Sequence, residues 1–290
     1  MNGTLAPAGE WWLPSAAPLA RAGLCSLAQP SLRQARNTPR FVFHDACLLL
    51  IASGRLELSD GSLRQVVDTP SRLLLVQAGT CADLLKTPGG AEQCFRSVLL
   101  SLAPALLDAF QRMRPQEAAV PQGLPTPAIL PLDDDLRSTL RQVLDSVPSP
   151  AVSDERLGYR LMDLLAGLAE RGHGLQRTGL PATVQRLRGL MAQEPGQHWT
   201  AHRAGRALAM SEATLRRRLA SEGARFEDLL VDLRMHHAML LLQTTPWSIP
   251  HIAQACGYLS RARFSERFRA RFGYPPSALR QGFRPAGPGA

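Results

Sequence analysis

The chain has 290 residues, 45% of them hydrophobic and 20% charged, enough for about two domains with buried cores. Its formal charge of +9 is concentrated: residues 175–290 hold 17 arginines against 7 acidic residues, a net +10, which leaves residues 1–174 at −1. The basic half predicts a polyanionic partner, and no uncharged apolar run approaches the ~20 residues that a membrane span requires.

Residues 1–38 are rich in Ala, Pro and Gly with little period, apart from Trp11 and Trp12, and are expected to form a poorly ordered or loosely packed lead-in. From Phe41 onward, short leucine-rich and β-branched runs are broken by the turn sequences SG, SDGS, DTPS and AGT, and residues 94–102 read as a further strand. These features predict a small β-rich domain, a barrel or sandwich, within residues 39–172. After the Pro-rich segment 121–131 the period becomes helical. Leu132, Leu136, Leu140 and Leu144 form one apolar stripe; Leu157, Leu161, Leu164, Leu165 and Leu168 form another beyond Pro148 and Pro150. Two such helices either cover their own domain or pair with a second copy as a homodimer. Residues 173–183, with their glycines and proline, are expected to be a linker to a C-terminal domain at 184–283, with 284–290 as a tail.

Two C-terminal segments share one layout, 199–223 and 248–273. Each has a short alanine-bearing helix, a tight break (Ala209-Met210-Ser211; Cys256-Gly257-Tyr258), and a second helix opened by Ser211 or Ser260 and closed by Gly223 or Gly273. Small residues such as Ala204, Ala207, Ala253 and Ala255 permit close helix crossing. The layout is a helix-turn-helix, present twice, with the apolar-striped run 226–244 as a long connecting helix. The predicted fold class is therefore α+β, a β-rich N-terminal domain followed by two helices and an all-α C-terminal domain.

In a helix-turn-helix the second helix enters the major groove. Leu215 and Leu219 mark the inward face of the first such helix, leaving Ala213, Arg216 and Arg217 outward; Phe264 and Phe268 mark that of the second, leaving Arg261, Ala262, Ser265 and Glu266 outward. Arginine can pair with guanine O6 and N7, glutamate can accept from cytosine N4, and alanine can touch a thymine methyl. Arg263, Arg267, Arg269 and Arg271, together with Arg218 and the capping Ser211 and Ser260, are expected at phosphates.

These residues carry a family resemblance. The run SIPHIAQACGYLSRARFSERFRARFGYPPSALR, Ser248 to Arg280, together with Trp199, Arg234, Ala238 and Leu240-Leu241, resembles the AraC/XylS transcription regulators. The resemblance implies a double-stranded DNA reader that places two recognition helices in successive major grooves about 34 Å apart. It further implies an activator, RNA polymerase as a partner, and base contacts at the seven outward positions named above. The first unit departs from the pattern: Gly205 replaces the usual alanine, and Ala201 and Ala204 replace bulkier residues, which predicts looser packing. The N-terminal half resembles, more weakly, the cupin-like regulatory barrel of the same family, which in some members binds a small-molecule effector and in others a regulatory protein.

Enzymatic readings fare poorly. Residues 1–172 contain one histidine, His44, where a metal-using cupin needs several converging ligands. His236 and His237 are followed four residues on by Leu240 and Leu241, so neither opens a helical ligand pair. Gly-rich phosphate loops and GxSxG elbows are absent, and no cofactor or metal is expected. The five cysteines, Cys25, Cys47, Cys81, Cys94 and Cys256, form no CxxC pair, and the N-terminus lacks the layout of a secretory signal, so a reduced, cytoplasmic protein is expected. Cys47, Cys81 and Cys94 could in principle line a redox-sensing pocket, although plain burial is the commoner use of cysteine.

Overall fold

A computed structural model describes Trp11 and residues 17–91, 93–114, 127–175 and 182–280. The run ACLLLIAS is apolar at successive positions and forms β5 (Ala46–Ser53), a strand buried on both faces at the centre of a sheet. It pairs antiparallel with β10 (Phe95–Leu102) and β8 (Arg72–Val76), Leu49 lying opposite Leu99 and Leu74. Four short strands, β1 (Leu19–Arg21), β2 (Cys25–Ala28), β3 (Ser31–Leu32) and β11 (Ala128–Pro131), complete this seven-stranded sheet. A second, four-stranded sheet has the order β4 (Arg36–Val42), β9 (Cys81–Thr87), β6 (Arg55–Ser59), β7 (Arg64–Val67).

The expected cupin-like barrel is corrected to two sheets that do not close: no hydrogen-bonded ladder joins them among the described residues. Their outer strands explain why. β1 and β7 are three and four residues long, β11 ends on Pro131, and β4 carries Pro39 within a register shift where Arg40 adopts a φ of 47°. Short strands, proline and bulges all blunt an edge against further pairing. The poorly ordered lead-in is corrected as well for its described part. Residues 17–38 supply β1, β2, β3 and the start of β4, and Trp11 is buried in the core, whereas 1–10 and 12–16 lie outside the described residues.

The two leucine stripes become α2 (Asp134–Ser146) and α3 (Asp154–Glu170), capped by Asp133 and Ser153, whose side chains accept from Leu136 N and Arg156 N. Their leucines pack on Leu48, Leu50, Leu73, Leu75, Val98 and Leu100 of the larger sheet, so the apolar faces are covered by their own domain. A preceding helix that the pattern did not announce, α1 (Pro104–Met113), adds Leu106 and Leu107 to that core. Arg171 closes the end of α3 onto the start of α2, 2.8 Å from Asp133 and 2.9 Å from Asp135.

The chain divides into two compact units, the second beginning after the described residue Leu175. Of the expected linker, 176–181 lie outside the described residues, Leu175 belongs to the N-terminal core, and Ala182 opens a helix. The C-terminal unit is all-α: α4 (Ala182–Gln193), α5 (Ala201–Ala207), α6 (Glu212–Ser221), α7 (Phe226–Thr244), α8 (Ile249–Ala255), α9 (Arg261–Phe272) and a 3-10 turn at Pro276–Leu279. The expected tail, 284–290, lies outside the described residues. Among the described residues no helix is long and apolar enough to cross a membrane.

Candidate nucleic-acid interface

Each second helix is fixed by the same three devices. The Ser211 side chain caps α6 by accepting from Thr214 N at 3.1 Å, and Ser260 caps α9 by accepting from Arg263 N at 3.3 Å. The inward face is fully buried: Leu215 and Leu219 in α6, and Phe264, Phe268 and Phe272 in α9, the last two with ring centroids 4.7 Å apart. Left-handed glycines end both helices, Gly223 at φ 72° and Gly273 at φ 84°. The outward face of each helix is thereby held in one orientation by its own packing.

The first unit is packed closely, against expectation. Ala201, Ala204 and Gly205 are all buried, and the two alanines share one core with Trp199, Met191, Leu187, Phe226 and Leu229. A Cβ on Gly205 would fall 2.9 Å from the Met210 carbonyl oxygen, so glycine lets α5 approach the backbone of its own turn. At the start of the domain, the Glu222 carboxylate accepts from Thr183 N at 3.1 Å and Val184 N at 2.8 Å, tying the end of α6 to the first turn of α4. Burial acts to raise the Glu222 pKa, but the hydrogen bonds from Thr183 and Val184 outweigh it and hold the carboxyl below its ordinary value.

The outward residues fall into two groups. Ala213, Arg217, Arg218, Arg261, Ala262, Arg263, Glu266, Arg267 and Arg269 are exposed, and Ser265 is half-buried. Among the described residues the guanidiniums of Arg217, Arg261, Arg263, Arg267 and Arg269 make no hydrogen bond or ion pair, while that of Arg218 lies 3.9 Å from the Met210 sulfur. Arg216 and Arg271 differ. Arg216 is exposed but pairs with both Glu212 and Glu227; Arg271 is half-buried, with Nε 2.9 Å from Asp232 Oδ1 on α7.

The role of Arg234 could be seen only in three dimensions. It donates from Nη2 to Gln197 O at 2.9 Å and lies over the Tyr258 ring, bolting α7 to both the 194–197 loop and the second turn. Gly257 in that turn has a φ of 76°, and a Cβ there would fall 2.8 Å from Cζ of Arg234. The thiols offer little chemistry. Cys25, Cys47, Cys94 and Cys256 are buried, burial pushing Cys25 and Cys256 up to about 12 and Cys47 well above its ordinary value, and Cys81 alone is exposed.

Comparison with known proteins agrees with this geometry. Residues 204–282 match the family described as "Helix-turn-helix domain". The urease operon transcriptional activator of Escherichia coli is 35% identical over 96 residues, covering 33% of this chain and 32% of the relative. The HTH-type transcriptional regulator GlxA of Rhizobium meliloti is 29% identical over 186 residues, covering 62% and 56% respectively. The chain thus spans about a third to just over half the length of these relatives. The crystal structure of unsaturated fatty acid bound wild-type ToxT from Vibrio cholerae superposes over 92% of this chain and 96% of its own, with a TM-score of 0.55 at 15% identity, a likeness of fold that includes the β domain. On these matches and on its paired helix-turn-helix units, residues 204–282 form a helix-turn-helix domain similar to that of these transcription regulators, as the resemblance to the AraC/XylS family implies.

Proposed function

We propose that the chain is a sequence-specific activator of transcription that reads two successive major grooves with α6 and α9, under control of its N-terminal domain. The observation that carries this reading is the repetition: two serine-capped helices, each anchored by fully buried apolar residues, and each turning outward at least one guanidinium that is unpaired among the described residues, Arg217 on α6 and Arg261 on α9. Arg217 in α6 and Arg261 in α9, with Ala213, Ala262, Ser265 and Glu266, are the base-reading set. Arg218, Arg263, Arg267 and Arg269, and the backbone at the capped helix starts, are the phosphate set. The test is in vitro selection of genomic fragments by the full chain. The expected motif has two half-sites about 10 base pairs apart, bound with an affinity that falls steeply with salt. Arg217→Ala and Arg261→Ala should each weaken that motif about ten- to hundredfold and relax preference at particular bases. Equal loss on every sequence would remove them from the base-reading set.

For the controlling input, one observation favours a small anion over a partner protein. Lys86 lies on the inner face of the four-stranded sheet, almost fully buried, with Nζ 5.6 Å from the Phe95 ring centroid, and burial pushes its pKa down to about 8. A buried ammonium between two sheets suits a carboxylate with an apolar body, and ToxT is known with an unsaturated fatty acid bound. Titrating fatty acids into the chain–DNA complex should change affinity for wild type and not for Lys86→Met. No response, with a protein recovered by pull-down on the intact chain, would favour the partner-protein alternative.

A further inference from the structure

The two helix pairs differ by one residue at their turns. α5 and α8 are both seven residues long, and both are followed by a C-cap and a left-handed residue, Ala209 at φ 57° or Gly257 at φ 76°. In the first pair the half-buried Met210 then leads directly to the cap Ser211. In the second, the half-buried Tyr258 is followed by Leu259 before the cap Ser260 is reached. The added residue is an apolar one and packs on nothing. Its relative exposure is 106%, against 70% for Met113, the next most exposed large hydrophobic among the described residues.

Solvent exposure of a leucine contributes nothing to the fold, so its position decides what it is for. Leu259 immediately precedes the cap of α9, beside Arg261, Ala262 and Arg263, which are exposed, and in the part of a helix-turn-helix that approaches base edges. The guanidiniums beside it give the surroundings a positive charge that suits a groove flanked by phosphates better than an apolar protein surface. On its base edges the major groove offers one prominent apolar group, the C5-methyl of thymine.

We propose that Leu259 is a specificity-determining residue that packs against a thymine methyl in the half-site read by α9, an inference that rests on α9 being a recognition helix. Because α6 has no counterpart to Leu259, the thymine is demanded in one half-site only. It adds to the difference between the two half-sites that the unlike base-reading residues of α6 and α9 already make.

Deoxyuridine keeps the hydrogen-bonding edge of thymine and lacks only the methyl, so it isolates this contact. The full chain is tested on the motif it selects, with each thymine in turn replaced by deoxyuridine. Wild type should lose about four- to tenfold in affinity at one thymine of the α9 half-site and much less elsewhere. Leu259→Ala should bind the unmodified motif about four- to tenfold less tightly, be indifferent to that deoxyuridine, and keep its affinity for unrelated DNA. Since the side chain packs on nothing, its thermal unfolding should match wild type. Wild type indifferent to deoxyuridine at every thymine, or a variant that retains the full penalty, overturns the inference alone. A chain that enriches no motif overturns the DNA-reading proposal and this inference with it.

Discussion

Nη1 of Arg216 lies 2.9 Å from Oε1 of Glu227, a link from α6 to the first turn of α7. The same guanidinium holds Glu212 through Nε at 3.0 Å, so its charge is opposed by two carboxylates while its neighbour Arg217 has no such partner among the described residues. Of the two adjacent arginines assigned by sequence to base contact, Arg217 is therefore the readier, and Arg216 must release a glutamate to reach DNA.

Glu227→Gln should consequently raise DNA affinity about two- to fivefold at low salt and lose the gain at high salt, since the pair is exposed and screened. Removing any negative charge near DNA would help somewhat, so the decisive variant is Arg216→Ala with Glu227→Gln. If Arg216 is the group being restrained, the double variant shows no gain over Arg216→Ala. A gain of the same size in both backgrounds would mean that Glu227 acts by repulsion alone.

Arg271 was expected at a phosphate, and its geometry argues for a different use. Its Nε is 2.9 Å from Asp232 Oδ1, with both side chains about one-fifth exposed, which pins the end of α9 to α7. Arg271→Ala should destabilise the chain by about 1 kcal/mol in urea unfolding. Arg267→Ala, exposed and without an ion pair among the described residues, should leave unfolding unchanged and reduce the salt slope of DNA binding by about one. The reverse pattern would return Arg271 to the phosphate set.

Ala209 occupies the turn position that Gly257 fills in the second pair, at a φ of 57° that costs an L-residue roughly 1–2 kcal/mol. Ala209→Gly should remove most of that strain and recover somewhat less than it, because glycine also loosens the unfolded chain. The expected net gain is about 0.5–1 kcal/mol, visible as a rise in the unfolding midpoint. A fall would show that the Ala209 methyl makes contacts worth more than the strain.

The legible parts of this chain were those written as periodicity and capping chemistry. Leu215/Leu219 and Phe264/Phe268 gave the buried faces of α6 and α9, and Ser211, Ser260, Gly223 and Gly273 stand at the helix ends where a local rule puts them. What escaped depended on partners distant in sequence. β1 to β3 lie in an Ala/Pro/Gly-rich stretch whose short strands exist only because β10 pairs with two of them. The open arrangement of the two sheets follows from edge strands too short, or too interrupted by proline, to be told from barrel strands by alternation. The links of Arg216 to Glu227 and of Arg271 to Asp232 were equally invisible, because those partners lie 11 and 39 residues away, whereas the Arg216–Glu212 pair follows the i,i+4 spacing within α6.

His237, on the connecting helix α7, gives the domain a pH dependence whose sign can be stated. Burial disfavours the imidazolium and pushes its pKa down to about 4, below the ordinary value of 6.5. Between those two values the unfolded chain takes up a proton that the folded chain refuses. The stabilisation is therefore fully present above about pH 6.5 and is lost as the pH falls toward 4. Carboxylates held below their ordinary pKa, Glu222 and Glu227 among them, lose their contribution in the same direction but at lower pH, which leaves the interval from 6.5 to 5 as the one where histidine dominates. Urea unfolding across that interval should show wild type losing stability while His237→Leu, which cannot titrate there, stays nearly flat. Parallel curves for the two proteins would show that the imidazole is hydrated enough in the folded state to accept its proton normally, and that the acid sensitivity belongs to another group.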